Sequence, residues 1–171
     1  MGNAIQSREL QVGDQSPVFR LKDQDGKWVD LRHLIGRKVL VIFFYPKDNT
    51  RVCTKEACQF RDEYEDFIDA GAEVVGISTD SVKSHEQFAG RNNLPYRILS
   101  DPKKIAVNQF GVPGFLFGWF TGRVTYIIDR NGIIRHITNS IRDADRHVHE
   151  ALKVVKTLQQ ENSGKAKGNP A

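Results

Sequence analysis

A run of β-branched and aromatic residues, Val39 to Tyr45, stops at Pro46, crosses a short polar loop and opens at Cys53 into a pattern of helical period. Strand, turn and helix start follow one another there, and both cysteines of the chain, Cys53 and Cys58, lie in the stretch. A helix N-terminus presents unpaired backbone N–H groups and the positive end of the helix dipole, which favour a thiolate over a thiol. Cys53 is therefore the candidate reactive sulfur.

The distance to the second cysteine adds a constraint. Residues five apart in an ideal helix have Cα atoms roughly 8 to 9 Å apart, whereas a disulfide wants no more than about 7 Å. If Cys53 and Cys58 pair, the first turns of their helix must unwind. That predicts two states, a folded reduced helix and a locally melted oxidised segment, at small cost if the segment lies at a helix end.

Around this stretch the sequence reads as scaffold. A hairpin is expected between Phe19–Leu21 and Trp28–Leu31 across Asp23-Gln24-Asp25-Gly26, and a second between Arg123–Asp129 and Ile133–Thr138 across Arg130-Asn131-Gly132. The helix from Cys53 carries Phe60, Tyr64, Phe67 and Ile68 at helical spacing and stops at Gly71. Glu73–Ser78 reads as a strand, Ser81–Asn92 as a helix capped by Ser81 or Asp80, and Leu94–Leu99 as a third strand. A short helix from Asp101 to Phe110 follows, and a last one from Asp143 to Gln160 with Val148, Leu152, Val155 and Leu158 on one face.

This order predicts an α/β, thioredoxin-like three-layer sandwich, with a mixed central sheet, helices on both faces and an N-terminal β-hairpin. A chain of 171 residues with 39% hydrophobic content suffices for one domain. Residues 1–10 are expected to be a flexible N-terminus, 11–160 the single domain, and the polar residues 161–171 a disordered tail. Between Val112 and Gly122 lies a segment too rich in glycine for a helix and too apolar for an ordinary loop. It reads either as a loop folded over the core or as an exposed patch for a partner, a second subunit or a membrane surface.

Other function classes fit less well. The net charge of +4 is scattered, so no nucleic-acid partner is expected. No apolar run is long enough for an integral membrane segment. Two cysteines without Cys-x-x-Cys or Cys-His grouping offer no zinc site, and His147 and His149, two apart on a helix, do not make a metal pair, so no cofactor or metal is expected. The start MGNAIQSREL lacks a signal core, so the compartment is read as cytoplasmic, with a processed plastid form as the alternative. Two further readings stay open: a protein disulfide reductase, which the five-residue cysteine gap fits poorly, and a basic binding module using Lys165 and Lys167.

Pro46-x-x-x-Thr50-x-x-Cys53 with a distant Arg123 resembles the active-site motif of the peroxiredoxins. Phe44-Tyr45-Pro46-Lys47-Asp48, Cys53-Thr54-Lys55-Glu56-Ala57-Cys58 and Gly122-Arg123-x-Thr125-Tyr126 narrow the resemblance to the peroxiredoxin Q, or bacterioferritin comigratory protein, group. It covers roughly residues 10 to 158 and departs from the group at Arg51-Val52, often Pro-Gly there, and at Phe115 and Trp119-Phe120. The resemblance implies a thiol-dependent peroxidase acting on hydrogen peroxide and organic hydroperoxides. Cys53 is then the peroxidatic nucleophile and Cys58 the resolving thiol of an intramolecular disulfide, recycled by thioredoxin or a similar dithiol protein. Thr50 contacts sulfur and peroxide, Pro46 shields the sulfur, and Arg123 holds the thiolate and the peroxide oxygens. Glu56 has a supporting role in orienting Arg123, beside the plainer reading of a glutamate favoured by the helix dipole. A monomer is expected, with a weak dimer as the alternative.

Overall fold

The computed structural model describes residues 8–167. Its centre is β3 (Val39–Phe44), all six of whose side chains are buried, as an apolar run flanked on both faces requires. It pairs in parallel with β4 (Ala72–Ser78), which pairs in parallel with β5 (Arg97–Ser100). An N-terminal hairpin of β1 (Arg20–Asp23) and β2 (Trp28–Asp30) adds antiparallel to β5, and a hairpin of β8 (Val124–Ile128) and β9 (Ile134–Asn139) adds antiparallel to β3. The seven-stranded order is β2-β1-β5-β4-β3-β8-β9, the mixed sheet expected of a thioredoxin-like sandwich.

Alternation along β3 divides the core. Val39, Val41 and Phe43 face one hydrophobic cluster, built with α1 (Arg51–Asp62), α2 (Tyr64–Asp69), α3 (Val82–Asn92) and α5 (Ala144–Lys167). Leu40, Ile42 and Phe44 face the other, closed by α4 (Ile105–Phe110) and by a single 3-10 turn at Leu31–His33. The helices cover both faces, but unequally.

One contact places α1. The Phe43 ring stacks on Phe60 of α1 at 4.5 Å between centroids and lies over Gly76 of β4, where an added Cβ would come within 2.7 Å of the ring. Gly76 thus leaves the space through which the sheet grips the helix that carries both cysteines.

Several boundaries differ from those expected. The first helix is broken at Glu63, whose ψ of 5° leaves the helical range, giving α1 and α2. Leu94 and Pro95 precede β5, because the Leu94 N–H closes α3 on the Ala89 carbonyl and proline has no N–H to give the sheet. Ser81, not Asp80, caps α3, its Oγ accepting from the Ser84 N–H at 3.1 Å. Asp101 lies ahead of α4 and binds its start, accepting from the N–H groups of Ile105 and Val107.

Both expected loose ends need correction. Residues 8–10 are tied down by a two-pronged Arg8–Asp14 contact at 2.8 Å and by the Leu10 N–H on the Phe110 carbonyl; residues 1–7 lie outside the described residues. The last helix runs on to Lys167 instead of stopping at Gln160, helped by the ion pair of Glu161 with Arg135 at 3.0 Å. The remainder of the expected tail, 168–171, is outside the described residues.

Candidate active site

β3 ends at Phe44, and Tyr45 still reaches the Ile77 carbonyl before half-buried Pro46 turns the chain. Asn49 adopts a positive φ of 62°, which asparagine tolerates better than most residues, and Thr50 stands extended as the N-cap of α1. Cys53 is then the third helical residue, inside the turn whose N–H groups have no intrahelical partner. Its side chain is 1% exposed.

Arg123, just ahead of β8, reaches the sulfur across 70 residues of chain. Its Nη2 donates to Cys53 Sγ at 3.1 Å, its Nη1 to Glu56 Oε1 at 2.8 Å and its Nε to the Ile141 carbonyl at 3.0 Å. All three nitrogens of the fork are engaged, so the guanidinium has little freedom to turn. Burial opposes its charge, but Glu56 and Cys53 outweigh burial and hold the Arg123 pKa above its ordinary value.

Glu56 lies one helical turn beyond Cys53, fully buried. Burial raises its pKa to about 7 against the pull of Arg123. Its second oxygen, Oε2, has no hydrogen-bond partner and sits 3.7 Å from Nδ1 of His147. Burial, followed by the charge of Arg123, lowers His147 to about 4 against the hydrogen bond to Ser140. The ring is therefore neutral. Its Nε2–H donates to the Ser140 carbonyl at 2.8 Å, so Nδ1 accepts from the Thr125 hydroxyl at 2.8 Å and has no proton for Glu56.

Thr50 behaves differently from the expectation. Its hydroxyl donates to the Lys47 carbonyl at 2.9 Å rather than to the sulfur. Pro46, Thr50 and Cys53 thus share one loop and helix start, while the sulfur's donor, Arg123, comes from just ahead of β8 and is held in turn by Glu56 of α1.

A second buried cluster holds that loop. Asp48 accepts from Tyr45 Oη at 2.6 Å, Ser84 Oγ at 2.8 Å and His85 Nδ1 at 2.7 Å, and its N–H donates to Asp80. His85 Nε2 donates to the Leu99 carbonyl at 2.9 Å. Asp48 at one ring nitrogen and the Leu99 carbonyl at the other fix the His85 ring at both ends. Ligand atoms of Asp48, Asp80 and His85 lie within 4.8 Å of one another, but donors already occupy these carboxylates, so they hold the loop and have little to offer a metal. The sequence marks neither His85 nor His147, since a lone histidine in a helix carries no local signal of its partners.

Cys58 is half-buried, and both thiols are free. They lie in one unbroken helix, as expected for the reduced state. Cys58 Sγ donates to Asn92 Oδ1 at 3.5 Å, Arg61 Nη1 to the Asn92 carbonyl at 2.8 Å, and Tyr96 Oη to the Ala57 carbonyl at 2.6 Å. On the other side, Lys55 and Gln59 both bind Asp145 of α5. Cys58 is thus better anchored than a residue at a free helix end.

Residues 12–137 match the model of the AhpC/TSA family. The chloroplastic peroxiredoxin Q of Arabidopsis thaliana is 49% identical over 148 residues, 86% of this chain and 68% of that protein. Its counterpart in Oryza sativa subsp. japonica is 44% identical over 156 residues, 91% of this chain and 71% of that protein. Among solved structures, peroxidoxin BcpB of Mycobacterium tuberculosis superposes with a TM-score of 0.81 at 36% identity, over 87% of this chain and 98% of its own. Peroxiredoxin Q of Xanthomonas campestris gives 0.76 at 28% identity, over 82% and 91%.

Proposed function

The chain belongs to the AhpC/TSA family as a thiol-dependent peroxidase of the peroxiredoxin Q type, and we propose that Cys53 is its peroxidatic sulfur and Cys58 its resolving thiol. The observation that carries this reading is the Arg123 fork, which donates to Cys53 Sγ while Glu56 holds its other arm.

The Cys53 thiolate attacks one peroxide oxygen. An S–O bond forms as the O–O bond breaks, the sulfur is oxidised to a sulfenic acid, and the departing oxygen takes a proton and leaves as water or an alcohol. Arg123 stabilises the thiolate beforehand and the charge on the leaving oxygen afterwards. A rotation of the Thr50 hydroxyl away from the Lys47 carbonyl brings it to the peroxide, and Pro46 keeps an N–H, and the water it would bind, away from the sulfur. Glu56 orients Arg123.

The Cys58 thiol then displaces the sulfenic hydroxyl, forming the S–S bond and releasing water. This needs α1 to loosen, and the hydrogen bonds of Cys58, Arg61 and Ala57 to α3 and its following loop oppose it at about 1 kcal/mol each. Thioredoxin or a similar dithiol protein restores the thiols by exchange.

We further infer that residues 11–160 act as one domain and as a monomer, because one sheet runs through them and a single chain supplies every group around Cys53. The relatives named chloroplastic favour the plastid compartment over the cytoplasmic one.

The test is peroxide-dependent NADPH consumption with thioredoxin and its reductase. Cys53→Ser brings the rate to background. Cys58→Ser keeps one stoichiometric oxidation by peroxide but no recycling through an internal disulfide. A Cys58→Ser variant that recycles at the wild-type rate removes the resolving assignment.

A further inference from the structure

At the end of the sheet where β3 meets the start of β8, a small hairpin stands out from the body. Its strands, β6 (Gly114–Phe115) and β7 (Phe120–Thr121), pair antiparallel, and Phe115 stacks on Phe120 at 5.3 Å between centroids. Below them the Gly122 N–H donates to the Pro113 carbonyl at 2.8 Å, a closure that glycine permits because a Cβ there would collide with that carbonyl. Above them the tip is apolar and open. Phe117 is 103% exposed, Trp119 82% and Leu116 61%, with Leu116 and Phe117 in left-handed backbone. Apolar side chains gathered at an exposed tip are unfavourable in water, and none of the described residues covers them.

The surroundings say what can cover them. β3, β4, β5 and β9 all deliver their C-terminal ends, and β8 its start, to this end of the sheet. The exposed charges in the loops and first helical turns there include Lys47, Arg51, Lys83, Lys103, Arg142 and Arg146, against Asp143 and, beside Gly111 below the hairpin, Glu9. Asp80 is half-buried and already accepts from Ser78 and the Asp48 N–H. From Gly111 to Thr125 the sequence contains no acidic residue. Three large side chains on a narrow projection offer roughly 500 Å², short of the roughly 800 Å² that each partner gives a stable protein interface. Tryptophan and phenylalanine beside lysine and arginine suit the boundary of an anionic bilayer.

We propose that the Leu116–Trp119 tip docks this protein on an anionic lipid surface and presents the Cys53 site to hydroperoxides of membrane acyl chains. The inference rests on the peroxidase reading, and it makes the lipid hydroperoxide the substrate class. Gly122 links the hairpin directly to Arg123, so a seated tip brings the Arg123 pocket to the lipid boundary. The chemistry is unchanged: sulfur is oxidised, the acyl hydroperoxide is reduced to an alcohol, and the dithiol reductant supplies the electrons.

The experiment uses the full chain with Trp28→Phe, which leaves Trp119 as the reporter. Vesicles of phosphatidylcholine mixed with phosphatidylglycerol should pellet the protein and shift Trp119 emission to the blue, both weakening with salt, whereas pure phosphatidylcholine binds it less. In an otherwise wild-type chain, Phe117→Ser with Trp119→Ser should lower pelleting and turnover of vesicle-borne phospholipid hydroperoxide by at least about tenfold, leaving hydrogen peroxide turnover in solution unchanged. No pelleting at low salt overturns the proposal. So does self-association of the wild type that the double variant abolishes, which makes a second copy the occupant, or a loss of thioredoxin-coupled turnover of hydrogen peroxide in that variant, which makes the reductant the occupant. A wild type that pellets but shows no Cys53-dependent peroxide reduction instead removes the peroxidase reading.

Discussion

Phe117 and Arg123 stand six residues apart and occupy each other's ordinary places. The phenylalanine is fully in solvent, while the arginine is 3% exposed. Arg123 is tolerated inside because every nitrogen of its fork has an acceptor, the sulfur among them. The hairpin is the opposite case, apolar groups that the described residues leave uncovered. The contrast separates a pocket whose charges are met within the molecule from an apolar tip left open to solvent.

The largest effect expected within the pocket comes from Arg123→Ala. It leaves Glu56 buried without a counter-charge and should cost about 3 kcal/mol in urea unfolding. It should also slow the reaction of Cys53 with hydrogen peroxide by about 10² or more in rapid mixing. A variant as stable and as fast as wild type would mean that the buried fork carries no function, and the contrast with the hairpin would collapse.

A subtler test uses the two groups that face each other behind Arg123. Glu56 has its pKa raised from 4.5 to about 7, so the stability it contributes is full below 4.5 and is lost as pH rises through about 7. His147 has its pKa lowered from 6.5 to about 4, so its contribution is full above 6.5 and is lost as pH falls through about 4. Each shift corresponds to about 3 kcal/mol. The two slopes oppose one another over nearly the same window. Glu56→Gln should uncover the histidine, with Tm rising as pH goes from about 4 to 6.5, and His147→Asn should uncover the glutamate, with Tm falling from about 4.5 to 7. Identical Tm-against-pH curves for wild type and both variants would show that the pair does not titrate as the geometry requires.

The smallest effect belongs to the hairpin. Phe117→Ser should change unfolding free energy by less than about 0.5 kcal/mol, whereas Phe43→Ala, beneath α1, should cost about 4 kcal/mol. Equal losses would mean that the tip is part of the core and not an open surface.

Periodicity and turn chemistry made much of the scaffold readable. Both long hairpins, the parallel core strand and the helix start at the first cysteine each depend on residues within a few positions of one another. The boundary errors had different sources: local backbone geometry broke the first helix at Glu63 and closed α3 on Leu94, whereas a distant partner, Arg135 on β9, helped α5 continue past Gln160. Glu56 was legible only through a family likeness, and its fully buried state was not. His147, set aside as one of a pair of unrelated histidines, proved to close the far side of the pocket.

By itself, then, the sequence determined what neighbours along the chain can settle: which stretches extend, which coil, where the thiol meets a helix start, and that a second thiol five residues on lies too far to pair without unwinding. The tertiary structure alone decided which arm of Arg123 reaches the sulfur, which carboxylate is buried with one oxygen unpartnered among the described residues, and whether the aromatic segment folds inward or stands out. Those outcomes depend on packing between segments far apart in sequence, where desolvation and hydrogen-bond partners are fixed only once the layers have closed.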